Sequence, residues 1–209
     1  MSTYFRTLQP PQMKTTFFIL ISFILTPCFG QQFEGKIIYQ NTYKSKSETP
    51  SEYLSQLFGS THTYQIKDGN YKLESDGKLL QWQIYLMQED KLFTKLAASE
   101  KLGIKDLSKE FDVVKNVKVN RKSTEILNQT CDEFIVRCKN STQKYYIDSS
   151  LNVSPEIFKT STFNHRFSFL SKNQIFPLKM IIEDETSICE SIEVEMKAEK
   201  INESIFIAK

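Results

Sequence analysis

The stretch that decides the fold is residues 63–87, which read TYQIKDGNYKLESDGKLLQWQIYLM. Apolar and polar residues alternate through three short runs, and this period of two is typical of half-buried β-strands. Asp68-Gly69 and Asp76-Gly77 separate the runs, and such dipeptides favour tight hairpin turns. In the third run, one face is formed by Leu80, Trp82, Ile84 and Leu86. The stretch therefore predicts an antiparallel meander.

The same alternation recurs on both sides of this stretch. Near the start, Phe33, Ile37 and Tyr39 share one face of a predicted strand. Further strands are predicted around 117–119, 131–138, 143–148, 176–182 and 192–198. In the last of these, Ile192, Val194, Met196 and Ala198 alternate with charged residues. A face that charged is solvated, so we expect an antiparallel sheet covered on one side only.

Two segments are candidates for covering the other side. Thr49–Phe58 begins with a helix start signal, Pro50-Ser51-Glu52, and Ser154–Leu170 is rich in phenylalanine without a clean helical stripe. We therefore predict a mainly β protein. Its antiparallel meander forms an open, curved half-barrel, and one or two short helices or irregular segments cover the concave face.

The chain begins with the features of a secretory signal peptide. Lys14 precedes a short apolar core, Phe17–Leu25, and Gly30 offers a small residue for cleavage. We expect residues 1–30 to be removed, with Met13 as a possible true start, and 31–209 to form a single β-rich domain. The predicted location is the periplasm or the outside of the cell. The alternative is a lipoprotein anchored through Cys28, although Pro27 stands where a small residue is expected.

The charge of the predicted mature chain limits its partners. Loss of Arg6 and Lys14 lowers the 27 basic residues to 25, equal to the 25 acidic residues. A balanced charge argues against nucleic acid, which usually requires a basic stripe. The apolar core is too short to cross a bilayer, which needs about twenty apolar residues. We therefore expect no nucleic acid partner and no transmembrane segment in the mature chain; the oligomeric state stays open.

The cysteines and histidines carry no recognisable chemistry. Cys131 and Cys138 lie in one predicted strand, roughly 23 Å apart, beyond the reach of a disulfide. Cys189 is either a bridge partner or, like the others, a buried small residue. His62 and His165 have no neighbours at metal-ligand spacing. No Gly-x-Ser-x-Gly elbow is present. We expect no metal, no cofactor and no enzymatic activity.

Several short motifs give the chain a likeness to a known family. They are Phe33–Tyr39, Tyr71–Glu74, Thr130–Phe134, Tyr145–Asp148, Phe176–Met180 and Ile205–Ile207. With these motifs the chain resembles a family of small uncharacterised envelope proteins of Gram-negative bacteria. The resemblance implies a sheet similar to that of the lipoprotein carrier LolA, an open half-barrel that holds acyl chains. The chain departs from such a carrier in having no partner-docking motif.

The predicted fold supports three roles. A binding protein for a lipid-like or apolar ligand comes first, because an open sheet rich in Phe and Tyr offers an apolar concave face. A structural or protein-interaction component of the envelope is the alternative, and a hydrolase is third. The candidate cavity lining consists of Trp82, Ile84, Phe134, Val136, Phe163, Phe167 and Met180. The same residues would equally serve as an ordinary filled core.

Overall fold

The computed structural model describes residues 32–108, 112–159 and 166–208. The predicted signal peptide, residues 1–30, lies outside them, while Gln32–Lys209 forms one compact unit. The strands are β1 (Gly35–Ser45), β2 (Thr61–Lys67), β3 (Asn70–Ser75), β4 (Leu80–Leu86), β5 (Lys91–Leu96), β6 (Gly103–Asp106), β7 (Val114–Ile126), β8 (Gln129–Cys138), β9 (Thr142–Asp148), β10 (Lys179–Glu183) and β11 (Ser187–Ala198). The helices are α1 (Ser51–Phe58), α2 (Glu156–Lys159) and α3 (Arg166–Lys172), with 3-10 turns at Ser149–Leu151 and Glu203–Phe206.

All eleven strands belong to one open antiparallel sheet. Their order is β6-β5-β4-β3-β2-β1-β11-β10-β9-β8-β7. Strands β1 to β6 form one meander and β7 to β11 a second, and the pairing of β1 with β11 joins the two. This seam runs from Gly35 opposite Ala198 to Ser45 opposite Ser187. The prediction of a mainly β, open antiparallel sheet with short covering helices is confirmed.

The two Asp-Gly turns differ in structure. Asp68 and Gly69 have φ angles of 51° and 75°, the left-handed pair that a two-residue hairpin turn requires. Asp76-Gly77 instead begins a longer loop between β3 and β4. The Asp76 carboxylate accepts hydrogen bonds from the Thr61 amide and the Ser60 hydroxyl, both at 2.9 Å. This loop therefore anchors the chain that follows α1.

A β-bulge near the end of β11 changes which residues face inward. The register shifts between the pairs Ile38–Glu195 and Tyr39–Glu193, so Val194 is an extra residue. Glu193 therefore shares the concave face with Tyr39, and Val194 is 59% exposed. The bulge interrupts the single face predicted for Ile192, Val194, Met196 and Ala198.

A second bulge divides the face predicted for β4. Leu80 pairs with Leu96 and Trp82 with Lys95, so one residue of β4 between them has no counterpart. Leu80 consequently lies on the concave face. Trp82 and Ile84 lie on the convex face with Phe206 of the C-terminal turn. Leu80 and Trp82 thus face opposite sides of the sheet.

On the concave face, α2 and α3 cover different parts of the sheet. Phe158 of α2 is fully buried, with its ring centroid 5.0 Å from that of Phe134 and 5.5 Å from that of Tyr145. Phe167 of α3 stacks on Tyr64 with centroids 3.5 Å apart. The predicted cover Ser154–Leu170 therefore contains α2 and the start of α3.

Polar bonds fix the position of α3 over the first meander. The Ser171 hydroxyl donates to the Gly69 carbonyl at 2.9 Å, and the hydroxyls of Ser168 and Tyr71 are 3.2 Å apart. These bonds place the helix above β2 and β3, where Phe167 reaches the aromatic rings of the sheet.

Candidate functional site

A cavity of about 630 Å³ lies on the concave face over the seam between β1 and β11. Its volume falls in the range of roughly 300–1,000 Å³ that is usual for small-molecule sites. Strands β1 to β4, β10 and β11 contribute its floor, and α1 and α3 contribute its sides. The lining residues are Tyr43, Ser47, Thr49, Leu54, Phe58, His62, Tyr64, Tyr71, Leu73, Leu80, Gln83, Arg166, Phe167, Met180, Ile182, Asp184, Thr186, Ser187, Cys189 and Ser191.

One end of the cavity is apolar. Leu54 and Phe58 of the amphipathic helix α1 line it, with Leu73 of β3 and Leu80 of β4. Leu80 reaches this position because of the bulge in β4. Phe58 also packs on Tyr43, with ring centroids 5.9 Å apart. This end offers a hydrocarbon group an apolar surface.

The opposite end is polar and lies beside the turn between β10 and β11. Ser47, Thr49, Arg166 and Asp184 line it. Asp184 is engaged by its own turn, because its Oδ1 accepts hydrogen bonds from the Thr186 amide at 2.9 Å and the Ser187 amide at 2.8 Å. Burial alone would raise the pKa of Asp184, but these bonds, with the nearby positive charge of Arg166, lower it.

Arg166 supplies the positive charge at this end. It is the first residue of α3 and is only partly exposed. Within the described part of the chain, its guanidinium makes no ion pair. Its positive charge is one of the causes that lower the pKa of Asp184, and it partly offsets the burial that raises the pKa of Cys189 and of Tyr145. Arg166 is therefore a cation available to a ligand.

A buried amide lies at the seam between β1 and β11. Asn41 of β1 lies opposite Ser191 of β11, and both residues lie on the same face as Tyr43, which lines the cavity. The Asn41 side chain is 3% exposed, and neither its Oδ1 nor its Nδ2 has a hydrogen-bond partner among the described residues. An unpaired buried amide costs about 1–3 kcal/mol; Asn41 lies behind the residues that line the cavity and is not one of them.

Cys189 and His62 are held in their neutral forms. Burial raises the pKa of the Cys189 thiol, despite bonds from Ser191 and Tyr43. Burial lowers the pKa of His62, opposed by its bond to the Phe58 carbonyl and the charge of Asp76. The His62 Nε2 lies 2.9 Å from that carbonyl and therefore carries the proton. His62 is thus directed to a backbone acceptor rather than to a hydroxyl or thiol.

The structure distributes the sequence-predicted site residues over three places. Phe167 and Met180 line the cavity. Phe134 and Val136 are fully buried in the packed core beneath α2, and Trp82 and Ile84 lie on the convex face, where they pair with Glu74 and Lys72 of β3. Phe163 lies outside the described residues.

The polar lining residues were missed by sequence reasoning. An alternation pattern identifies faces that are apolar throughout. The cavity-lining face is interrupted by polar or weakly polar residues, namely Tyr43, His62, Cys189 and Ser191. The signal that could have found them is their position: Tyr43 continues the inward parity of Ile37 and Tyr39 along β1. Arg166 has no comparable signal, because it begins a short helix.

Other features of the described residues bear on the site. Cys131, Cys138 and Cys189 are free thiols. No group of three or more His, Cys, Asp or Glu side chains in the described ranges could hold a metal ion. Within the same ranges, no helix is both long enough and apolar enough to cross a membrane.

Comparisons with known proteins give the chain a distant structural likeness. No family model matches it, and no curated protein matches it. Two solved structures of PNGF-II, in different space groups, are similar to it with TM-scores of 0.44 and 0.45 at 11% and 12% identity. Each match covers 85% of this chain, which spans about 30% of the length of PNGF-II.

Proposed function

We propose that the protein binds a lipid-like or apolar small molecule in the cavity over the β1–β11 seam. The observation that carries the proposal is a cavity of about 630 Å³ with aromatic and aliphatic walls on the concave face. A filled core would leave no such space, because protein interiors pack to the density of organic crystals.

We also propose that binding takes place outside the cytoplasm, in the periplasm or the extracellular medium. The apolar segment Phe17–Leu25 and the small residue Gly30 support this location. Lipidation of Cys28 is the alternative. Intact mass spectrometry of the exported protein distinguishes the two, since a start at Gln31 fits cleavage and a diacylglyceryl group on Cys28 fits a lipoprotein.

Binding fits the cavity better than catalysis does. Asp184 is engaged by its own turn, and His62 points at a backbone carbonyl. Among the described residues, no serine, threonine or cysteine forms a hydrogen bond with His62. The side chains around the cavity therefore provide surface and polarity rather than a nucleophile with its base.

The direct test is binding of a neutral fluorescent dye, N-phenyl-naphthylamine, and its displacement by dodecanol. Met180→Trp places a larger side chain in the cavity, whereas Ile181→Trp places the same side chain on the convex face of the same strand. We expect Met180→Trp to weaken dye binding about ten-fold or more, the loss of at least 1.4 kcal/mol. Ile181→Trp should bind the dye as the wild type does.

Cys189 offers a second readout in the native chain. It lines the cavity, whereas Cys131 and Cys138 are buried elsewhere in the sheet. We expect dodecanol to slow alkylation of Cys189 by N-ethylmaleimide and to leave Cys131 and Cys138 unaffected. If the dye does not bind and Cys189 is not protected, the proposal fails. A structural role in the cell envelope is then the better interpretation.

A further inference from the structure

We infer that the cavity selects an amphiphile with a carboxylate head, which Arg166 binds while the hydrocarbon chain lies toward α1, β3 and β4. The inference rests on the proposed binding function and adds the chemical class and the orientation of the ligand. Three observations support it: the cavity has an apolar and a polar end, Arg166 has no ion-pair partner among the described residues, and the Asp184 carboxylate is already hydrogen-bonded within its own turn.

The polarity of the cavity gives the orientation. Leu54, Phe58 and Leu80 line one end, and Ser47, Thr49 and Arg166 belong to the other. The polar end is fixed in place because the strand β1 continues into it, where the Lys46 amide donates to the Thr186 carbonyl at 2.8 Å. A ligand that is apolar throughout would leave the polar end unused, and a small polar ligand would leave the apolar end in contact with water.

The charges at the polar end favour an anion. Arg166 and Asp184 are the charged residues that line the cavity. The Asp184 Oδ1 already accepts from two backbone amides and from the Thr186 hydroxyl. Arg166 makes no ion pair with any described residue and keeps all its donors. The Asp184 carboxylate already accepts hydrogen bonds, whereas the Arg166 guanidinium has no partner among the described residues. The site therefore favours an anionic group over a cationic one.

A carboxylate matches this donor better than other small groups. The guanidinium is planar and presents parallel N–H groups that fit the two oxygens of a carboxylate. A single guanidinium neutralises one unit of charge. An amphiphile with one carboxylate and one unbranched chain therefore satisfies both ends of the cavity.

The test compares three ligands of equal chain length, dodecanoic acid, its methyl ester and dodecylamine, by calorimetric titration of the whole chain. Hydrogen bonds to a charged group are stronger than those to a neutral one, so we expect the acid to bind about ten-fold or more tightly than the ester. Dodecylamine should bind more weakly than the ester. Equal affinities for acid and ester, or tightest binding of the amine, would overturn the inference.

Variants assign the selectivity to Arg166. Arg166→Met keeps the side-chain length and removes the charge, and we expect it to bind acid and ester equally. Arg166→Lys should restore part of the preference for the acid. Arg137→Met is the matched control, because Arg137 lies on the exposed convex side of β8. A preference that survives Arg166→Met would contradict the role given to Arg166.

Failure of this inference is distinguishable from failure of the binding function. If dye and ester bind and Met180→Trp weakens the binding of both about ten-fold or more, the cavity is a binding site whatever its charge preference. In that case, equal binding of acid and ester overturns only the inferred preference for a carboxylate head. If none of the three ligands binds and the dye does not bind, the binding function fails and the inference fails with it.

Discussion

Both halves of the concave face are rich in aromatic side chains, but one is filled and the other holds a cavity. The filled half is the surface of β7 to β9 under α2, and the cavity half is the surface of β1 to β4, β10 and β11 under α1 and α3. In the filled half, Phe158 is fully buried between Phe134 and Tyr145. In the cavity half, Phe167 stacks on Tyr64, and open space remains beside it.

The difference lies in how the inward polar groups are paired. Gln143 in the filled half is fully buried; it donates to Ser141 at 3.1 Å and accepts from Tyr145. Asn41 in the cavity half is also buried, and its amide has no partner among the described residues. Aromatic content alone therefore does not distinguish the filled half from the half that holds the cavity, and these two buried amides differ in whether they are paired.

The largest expected effect is on the filled half. Phe158→Ala removes a fully buried ring and leaves a cavity between Phe134 and Tyr145, so we expect a loss of about 3–5 kcal/mol in the free energy of unfolding. Urea denaturation measures it. Leu151→Ala, at a residue that is 56% exposed, should change stability by less than about 0.5 kcal/mol. A loss below 1 kcal/mol for Phe158→Ala would show that this half is not packed as described.

A smaller loss is expected at the edge of the filled half. The buried carboxylate of Asp132 accepts from Arg121 at 2.6 Å and from the Lys122 amide and the Ser149 hydroxyl, both at 2.8 Å. Asp132→Asn weakens these charge-assisted bonds, and we expect a loss of about 1.5–3 kcal/mol at neutral pH.

Acid unfolding tests the same carboxylate independently. Burial alone would raise the pKa of Asp132, but the bonds from Lys122, Arg121 and Ser149 lower it. Its stabilisation is therefore present above the unfolded pKa of about 3.9 and is lost as the pH falls through the folded pKa. In Asp132→Asn, this part of the decrease in the free energy of unfolding at low pH should be absent. If the variant loses stability at low pH just as the wild type does, the stabilising role given to the Asp132 carboxylate is wrong.

The buried amides test the contrast between the halves directly. Gln143→Met leaves the Tyr145 hydroxyl without its acceptor, so we expect a loss of about 1–3 kcal/mol. Asn41→Leu removes an amide that has no partner, and we expect stability to be unchanged or increased. Paired urea titrations of the two variants measure the difference. Equal losses would mean that the two amides are paired to the same extent.

The smallest effect concerns pH in the cavity half. Burial lowers the pKa of His62 below its ordinary value, so the unfolded chain binds a proton before the folded chain does. The free energy of unfolding should therefore decrease as the pH falls below about 6.5 and level off below the folded pKa. His62→Gln should remove this slope. Thermal unfolding between pH 7 and pH 5 measures it, and a slope that persists in the variant would belong to another group.

Sequence reasoning predicted the sheet well, because strand alternation and the Asp68-Gly69 turn are local signals. It also identified both covering segments, since α1 has a clear start signal and the stretch after Ser154 is rich in aromatic residues. It could not locate the two bulges. A bulge changes the facing of residues without changing the sequence pattern. The bulge in β4 places Leu80 on the face opposite to Trp82, and the bulge in β11 places Glu193 on the concave face.

The candidate site was predicted only in part for the same reason. Phe167 and Met180 were found because they are apolar and lie on predicted inward positions. Arg166 begins α3 and Asp184 lies in the turn after β10, so neither belongs to a strand whose alternation could place it at the cavity. Predicting the polar half of the site requires the register of β1 against β11.

The seam between β1 and β11 also bears on how the single sheet forms from its two meanders. Each meander consists of neighbours in sequence and can form by short-range pairing, but the seam joins Gly35 to Ala198 and closes a loop of most of the chain. Contacts of such large sequence separation form slowly. Strand β1 therefore has neighbours on both sides only after β11, the last strand in the chain, has paired with it. Because the cavity floor lies on this seam, the cavity is complete only when strands from both ends of the sheet-forming chain have paired.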